Sequence, residues 1–291
     1  YKIEAEDESF SEIIEQFLHL PNFLKGGLYQ GAGKAVCVPG LNCYSCPAAS
    51  GACPIGSFQA VVGSSKFSFS YYITGFLILL GVLLGRFICG FLCPFGWFQD
   101  LLHKIPTKKL STRKLKPLTY LKYAVLLVMV FLLPAFLVND VGMGDPFFCK
   151  YLCPQGVLEG AIPLSLANSG IRAALGKLFT WKFSILLSVI VLSVVFYRPF
   201  CKWLCPLGAF YALFNRVSLF QMKVDKNKCI SCGKCARACK MDVDVTKTPN
   251  HTECIRCGMC IHACPTGAVC FRYGFGSDKK TEKTAETSKK E

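Results

Sequence analysis

Two cysteine runs near the C-terminus constrain this chain more than anything else in it. The first reads Cys229-Ile-Ser-Cys232-Gly-Lys-Cys235-Ala-Arg-Ala-Cys239, the second Cys254-Ile-Arg-Cys257-Gly-Met-Cys260-Ile-His-Ala-Cys264-Pro265. Each is C-x2-C-x2-C-x3-C. In that spacing three close thiolates hold three irons of one [4Fe-4S] cube, and the fourth thiolate crosses to the other cube. The crossing assigns Cys229, Cys232, Cys235 and Cys264 to one cluster and Cys254, Cys257, Cys260 and Cys239 to the next. Paired zinc sites share the C-x2-C element, but not the triple spacing twice over with Pro265 after the last Cys. A segment built this way exchanges single electrons.

The rest of the chain is of a different kind. Hydrophobic residues make up 52% of its 291 positions, too many for a soluble domain of this size. Three stretches, 71–91, 118–138 and 181–200, are apolar over the roughly 20 residues that cross a bilayer. The stretch 163–179, interrupted by Asn168, Gly170 and Arg172, reads as an interfacial or re-entrant piece. The expected fold is therefore an α-helical multi-pass membrane domain of about three spans plus interfacial helices, followed by a C-terminal α+β module with two clusters. The expected divisions are an amphipathic segment over 1–36, the membrane domain over 37–218, the cluster module over 219–272 and a disordered tail over 273–291. In the first of these, Ile13, Ile14, Phe17, Leu18 and Leu20 recur at helical spacing before Pro21, suited to lying on the membrane or to packing against a protein surface.

Lys and Arg outnumber Asp and Glu by 33 to 18, a net charge of +15. No nucleic-acid motif accompanies this excess, and cytoplasmic loops facing anionic lipid headgroups explain it. The loop after the first span carries Lys104, Lys108, Lys109, Arg113, Lys114 and Lys116, while the longer connection after the second holds only Lys150, Arg172 and Lys177. By the positive-inside rule the first loop is cytoplasmic, which puts residues 37–70 outside and the two-cluster module in the cytoplasm. The chain opens at Tyr1 rather than Met, so the lack of a signal peptide carries no weight.

A second set of cysteines repeats. Cys89-Gly-Phe-Leu-Cys93-Pro-Phe-Gly96, Cys149-Lys-Tyr-Leu-Cys153-Pro-Gln-Gly156 and Cys201-Lys-Trp-Leu-Cys205-Pro-Leu-Gly208 are three copies of C-x3-C-P-x-G, and a degenerate fourth spans Cys37, Cys43, Cys46 and Cys53 to Gly56. One C-x3-C pair supplies half of a four-thiolate site, so pairs must meet. Cys89, Cys93, Cys201 and Cys205 all end spans at the inner face and form an expected inner membrane cluster. On the outer side, Cys149 and Cys153 are expected to join Cys46 and Cys53, each pair containing a Cys-Pro-x-Gly copy. Cys37 and Cys43 are left as further ligands or a disulfide. Cys270 fits no motif and is expected as a buried free thiol. Arg86 and Arg198, each three residues before a motif, either offset cluster charge or snorkel to the interface.

With these motifs in order, the chain resembles the NapH/NosR-like polyferredoxin family of bacterial membrane 4Fe-4S binding proteins, over roughly residues 37–271. The resemblance implies a double-cluster ferredoxin module joined to membrane-embedded C-x3-C-P motifs. It also implies electron transfer at the bacterial cytoplasmic membrane with other redox subunits, to or from a quinone pool or an extracytoplasmic flavin- or metal-containing partner. The flavin-binding domain of some relatives is missing from this sequence, so flavin would come through a partner flavoprotein.

The four histidines, His19, His103, His251 and His262, all lie outside the expected spans, and C-x-x-C-H is absent, so no haem is expected. No phosphate loop or hydrolytic motif occurs. Asp100 and His103 are the proton-active pair nearest the inner motif. The expected function is a relay of single electrons between a cytoplasmic donor and an extracytoplasmic acceptor, in an anaerobic setting. The alternatives are a quinol or quinone oxidoreductase subunit and an assembly or metal-reducing protein for a partner enzyme. Whether the chain is itself an enzyme is left open, since it has no evident substrate site of its own.

Overall fold

The computed structural model describes residues 31–64, 71–139 and 144–274. The amphipathic segment expected over 1–36, apart from a single turn at Ala32–Ala35, and the tail expected over 273–291, apart from its first two residues, lie outside them.

Two helices, Leu115–Phe136 and Lys177–Val195, are long and apolar enough to cross a membrane. In the second, Ser184, Ser188 and Ser193 turn their hydroxyls back onto the carbonyls of Trp181, Ser184 and Val189, which makes them tolerable in hydrocarbon. Its outer face exposes Phe183, Leu187 and Val191, a surface suited to lipid rather than water. The first helix widens to π geometry over Leu126–Leu132, just before Pro134, whose missing N–H leaves one backbone acceptor without its usual donor.

The first expected span, 71–91, is interrupted. A fourteen-residue helix, Tyr71–Leu84, rises about 21 Å, short of the roughly 30 Å hydrocarbon core. It stops at Gly85, whose φ of +57° requires glycine and whose Cβ would meet Arg256 and Asn215 at 2.9 Å. The chain resumes as the short turn Phe87–Phe91, which carries Cys89. The expected interfacial piece is also broken, into an apolar helix Gly156–Ala167 and a turn Ser169–Ala173 capped by the Asn168 side chain.

The long helices run in opposite directions. Near the start of Leu115–Phe136, Lys122 pairs with Glu253 of the C-terminal module. At the end of Lys177–Val195, the carbonyls of Val194 and Val195 accept from Lys109 and Leu110 on that same side. At its start, Lys182 reaches the Cys149 carbonyl. Cys149 and the module thus lie toward opposite ends of this helix, with about 20 Å of it between Lys182 and Val195.

The module closes with strands β1 (Phe220–Val224) and β2 (Val269–Tyr273), antiparallel with Met222 opposite Phe271. Met222, Val245 and Val269 pack around Cys235, Cys254 and Cys260. Met241, Val243 and Ile255 join the core of the membrane part. Cys270 corrects the expectation of burial: it follows buried Val269 on β2, and strand alternation turns it outward, so it is exposed.

Candidate metal centres

In the module, Cys229, Cys232, Cys235 and Cys264 line one small cavity. Cys239, Cys254, Cys257 and Cys260 lie within electrostatic reach of one another. Both runs share a backbone device. Ser231 and Gly233 in the first, Arg256 and Gly258 in the second, take positive φ at matching positions. Alternation of this kind folds successive N–H groups into an anion-binding nest. At Cys264 the Thr266 hydroxyl and nearby backbone N–H groups, including Ala268 at 3.3 Å, hold the thiol down to about 7.

In the membrane part, Cys53, Cys93 and Cys205 each cap a helix, namely Pro54–Gly63, Pro94–His103 and Pro206–Phe214, with Pro at the first helical position. The Cys-Pro-x-Gly sequence is thus an elbow that places a sulfur at a helix N-terminus, where free N–H groups and the dipole favour a thiolate. The Gly208 N–H donates to the Cys205 sulfur at 3.3 Å.

The structure brings Cys89, Cys93, Cys201 and Cys205 together, all buried; we call this the Cys89 site. At the other end Cys149 and Cys153 meet Cys53 and Cys43, the Cys149 site. A Cβ on Gly56 would lie 3.8 Å from the Cys149 sulfur, and one on Gly156 would lie 3.7 Å from that of Cys43. Cys46, expected in this set, lies on the same loop with Cys43 packed against it. A turn bonds the Cys46 N–H to the Cys43 carbonyl and packs Cys46 against Ala48 and Ala49. Buried Glu159 accepts the Cys43 N–H at 2.9 Å and fixes that loop. Cys37 sits beside the Ser57 hydroxyl, in the same buried cluster as Cys53, and no two of the nineteen cysteines form a disulfide.

Two arginines clasp the Cys89 site crosswise. Arg86, upstream of the first motif, donates to the Cys201 carbonyl at 3.2 Å. Arg198, upstream of the third, donates to the Cys89 carbonyl and to that of Gly90. Gly96 is required here: a Cβ would meet the Cys89 oxygen at 2.9 Å and Arg198 at 3.1 Å. Both side chains are at most 2% exposed, which excludes snorkelling. Arg198 holds a φ of +48°, strain of the kind found where a site over-determines the backbone.

The sites are contiguous. A Cβ on Gly90 would sit 2.8 Å from the Ile255 carbonyl, so the second module site presses on the Cys89 loop. Onward, the Leu41 N–H donates to the Cys93 sulfur at 3.5 Å, and its carbonyl accepts from Gln155 in the Cys149-site elbow at 3.2 Å. Tyr211 lies between, within electrostatic reach of Cys89, Cys93 and Cys53. Among the described residues no three His, Cys, Asp or Glu side chains close on one point, as a single ion would require. Thiolates around a cube, each on a different iron, are spread apart, and both elbows and nests fit that group.

A family model described as a 4Fe-4S binding domain matches three times, at 68–113, 122–162 and 178–227, once over each C-x3-C-P pair. A 4Fe-4S dicluster domain matches 221–265. The uncharacterized protein MJ0750 of Methanocaldococcus jannaschii is 31% identical over 68% of this chain and 77% of its own length. The methylamine utilization ferredoxin-type protein MauN of Paracoccus denitrificans is 32% identical over 56% of this chain and 50% of its own length. The regulatory protein NosR of Stutzerimonas stutzeri is 27% identical over 55% and 21%. The chain belongs to the NapH/NosR-like polyferredoxin family. No solved structure matches it. As a polyferredoxin it is an iron-sulfur electron-transfer protein holding [4Fe-4S] clusters.

Two glutamines at the polyferredoxin sites were missed in the sequence. Gln99 accepts from the Phe200 N–H at 3.2 Å and donates to the Cys201 sulfur at 3.2 Å. Gln59 accepts from the Phe148 N–H at 3.0 Å and donates to the Cys149 sulfur at 3.3 Å. Overlaying Cys53-Pro-Ile-Gly-Ser-Phe-Gln59 on Cys93-Pro-Phe-Gly-Trp-Phe-Gln99 would have found them. Donation to a ligand sulfur favours the reduced state, so Gln99→Leu is expected to lower the potential of its centre by about 50 mV in a redox titration followed by spin resonance. An unmoved potential would remove that role. Asp100 serves as counter-ion to Arg198, and the His103 ring meets the Ser193 carbonyl. The proton-active pair is therefore tied into the fold.

Proposed function

We propose that this polyferredoxin relays single electrons across a bacterial cytoplasmic membrane. Its ferredoxin module takes them from a cytoplasmic redox protein, and the Cys149 site passes them to an extracytoplasmic acceptor. Four [4Fe-4S] clusters are assigned. Two belong to the module, on Cys229, Cys232, Cys235 and Cys264 and on Cys239, Cys254, Cys257 and Cys260. The third is held by Cys89, Cys93, Cys201 and Cys205, and the fourth by Cys149, Cys153 and Cys53 with Cys43 in place of Cys46. Bound there, the clusters supply reversible one-electron chemistry at potentials that hydrogen bonds, charge and burial adjust. The partners are other redox subunits, with a flavoprotein among them if flavin takes part.

The observation that carries this reading is the Leu41 peptide, which touches a Cys93 sulfur on one side and the Gln155 side chain of the far elbow on the other. Two sites at opposite headgroup levels would face roughly 30 Å of hydrocarbon; a shared peptide and Tyr211 support a much shorter gap. Arg86, Arg198, Gln59 and Gln99 keep the thiol loops fixed and dry, so little reorganisation accompanies a change of charge. The spare thiols beside the Cys149 site, Cys37 and Cys46, are 3% and 0% exposed, which gives the metal-reducing alternative no open spare thiol there.

Iron and acid-labile sulfide per chain, measured on anaerobically purified protein, test the assignment. About sixteen irons are expected, four for each cube. About eight would confine the clusters to the module and end the relay reading.

A further inference from the structure

A cavity of about 950 Å³ opens where the module meets the start of Leu115–Phe136. Its walls come from both parts, with residues 112–123 on the membrane side and 241–253 on the module side. Its carboxylates are already engaged. Asp242 takes bonds from Thr112 and Ser111 and pairs with Lys202, Asp244 bonds Thr246, and Glu253 pairs with Arg86 and Lys122. Lys247 lies beside Asp244 and acts on its carboxylate; Arg113, Lys116 and Arg216 remain, with no ion pair among the described residues. They come from separate segments yet converge, since Lys116 and Arg216 both act electrostatically on His251. The cavity therefore presents unneutralised positive charge from several directions, which suits an anion rather than a cation or a neutral ligand.

A second feature narrows the anion. Tyr120 is shared between this cavity and an adjoining apolar groove of about 540 Å³ lined by Leu115, Leu118, Leu121 and Ala124. The groove follows the first turns of a helix that is apolar and long enough to span, so its direction is toward the hydrocarbon. A soluble phosphate compound would use the basic cavity and leave the groove wet; a lipid fills both. We propose that this is a specific site for an anionic phospholipid, with its phosphate among Arg113, Lys116 and Arg216 and an acyl chain along Leu115, Leu118 and Leu121. A lipid seated there touches both the module and the membrane helix and fastens one to the other. Basic pockets beside membrane helices bind lipid headgroups by this combination of charge and apolar contact.

The proposal rests on the membrane reading, and the test keeps the two apart. The full chain is purified in detergent, stripped of lipid, and returned to nanodiscs of phosphatidylcholine with or without phosphatidylglycerol. Retained phosphatidylglycerol is counted by native mass spectrometry, and the thermal midpoint is followed. Selective retention and a raised midpoint are expected with phosphatidylglycerol but not with inorganic phosphate at matched concentration. The exposed-charge variant Arg113→Gln/Lys116→Gln/Arg216→Gln should bind phosphatidylglycerol about 100-fold more weakly, from three lost cations near a surface, with iron content unchanged. Equal retention of both lipids, or undiminished binding by the triple variant, overturns the site. A midpoint raised as much by phosphate as by lipid assigns the cavity to a soluble anion and overturns the lipid. A chain that stays in solution without detergent fails the membrane reading itself, a separate result.

Discussion

Exchanging Glu253 for glutamine is expected to lower the stability of the chain by about 3–5 kcal/mol, the effect of breaking a buried ion pair from one side. The Glu253 carboxylate sits between Arg86 at 2.7 Å and Lys122, whose side chains are both 0% exposed. Burial alone would raise this carboxyl, yet the two cations beside it hold it down to about 2. Glutamine keeps the shape and removes the charge, leaving two cations in the core opposite one neutral amide. Because Arg86 belongs to the Cys89 loop, Lys122 to a membrane helix and Glu253 to the module, the loss should appear first as loosening between these parts. Denaturant unfolding and the rate of proteolysis between module and membrane part measure it. A change of under about 1 kcal/mol would mean that the triad contributes no more than an exposed pair. A Arg86→Met/Lys122→Met/Glu253→Leu chain should recover most of the stability, since well-packed apolar replacements of buried ion triads are often neutral or better.

The second large effect concerns which loop cysteine completes the Cys149 site. Cys43→Ala is expected to lower iron from about sixteen to about twelve per chain and to abolish one reduced-cluster signal in spin resonance, while Cys46→Ala leaves both unchanged. The two thiols are three residues apart on one loop, Cys43 half-buried and Cys46 buried. Cys43 acts electrostatically with Cys153 and Cys53, and a Cβ on Gly156 of the far elbow would lie 3.7 Å from the Cys43 sulfur, while both thiols share Lys34 and Glu159. The reverse outcome, iron lost with Cys46 and kept without Cys43, would restore the set that the Cys-Pro-x-Gly repeat suggested.

That contrast shows where the sequence was legible. The module cysteines could be sorted from spacing alone because their ligand pattern is local, and the pairing of Cys89 and Cys93 with Cys201 and Cys205 followed from which span ends share a face. The choice between Cys43 and Cys46 depended on a loop whose shape is set by Glu159, more than a hundred residues away in sequence. No local rule reaches that far. The break at Gly85 was hidden for the same reason: the stretch 71–91 is apolar apart from Thr74 and Arg86, and the Arg256 and Asn215 groups that crowd Gly85 come from elsewhere. Gln59 and Gln99 were hidden differently, as ordinary polar residues in amphipathic helices until the two elbows are laid one on the other. Cys270 was misread because strand phase, not hydrophobicity, decides which side of β2 a residue faces.

The contact between Gly90 and the Ile255 carbonyl carries a consequence for biogenesis. The last of the four thiols at the Cys89 site, Cys205, leaves the ribosome before any part of the module does. The module then docks over the loop and shuts it. There is accordingly an interval during synthesis when the four thiols of that site have been made and the Ile255 segment that covers their loop has not. Chain order thus completes the thiols of that site before the segment that covers its loop is made.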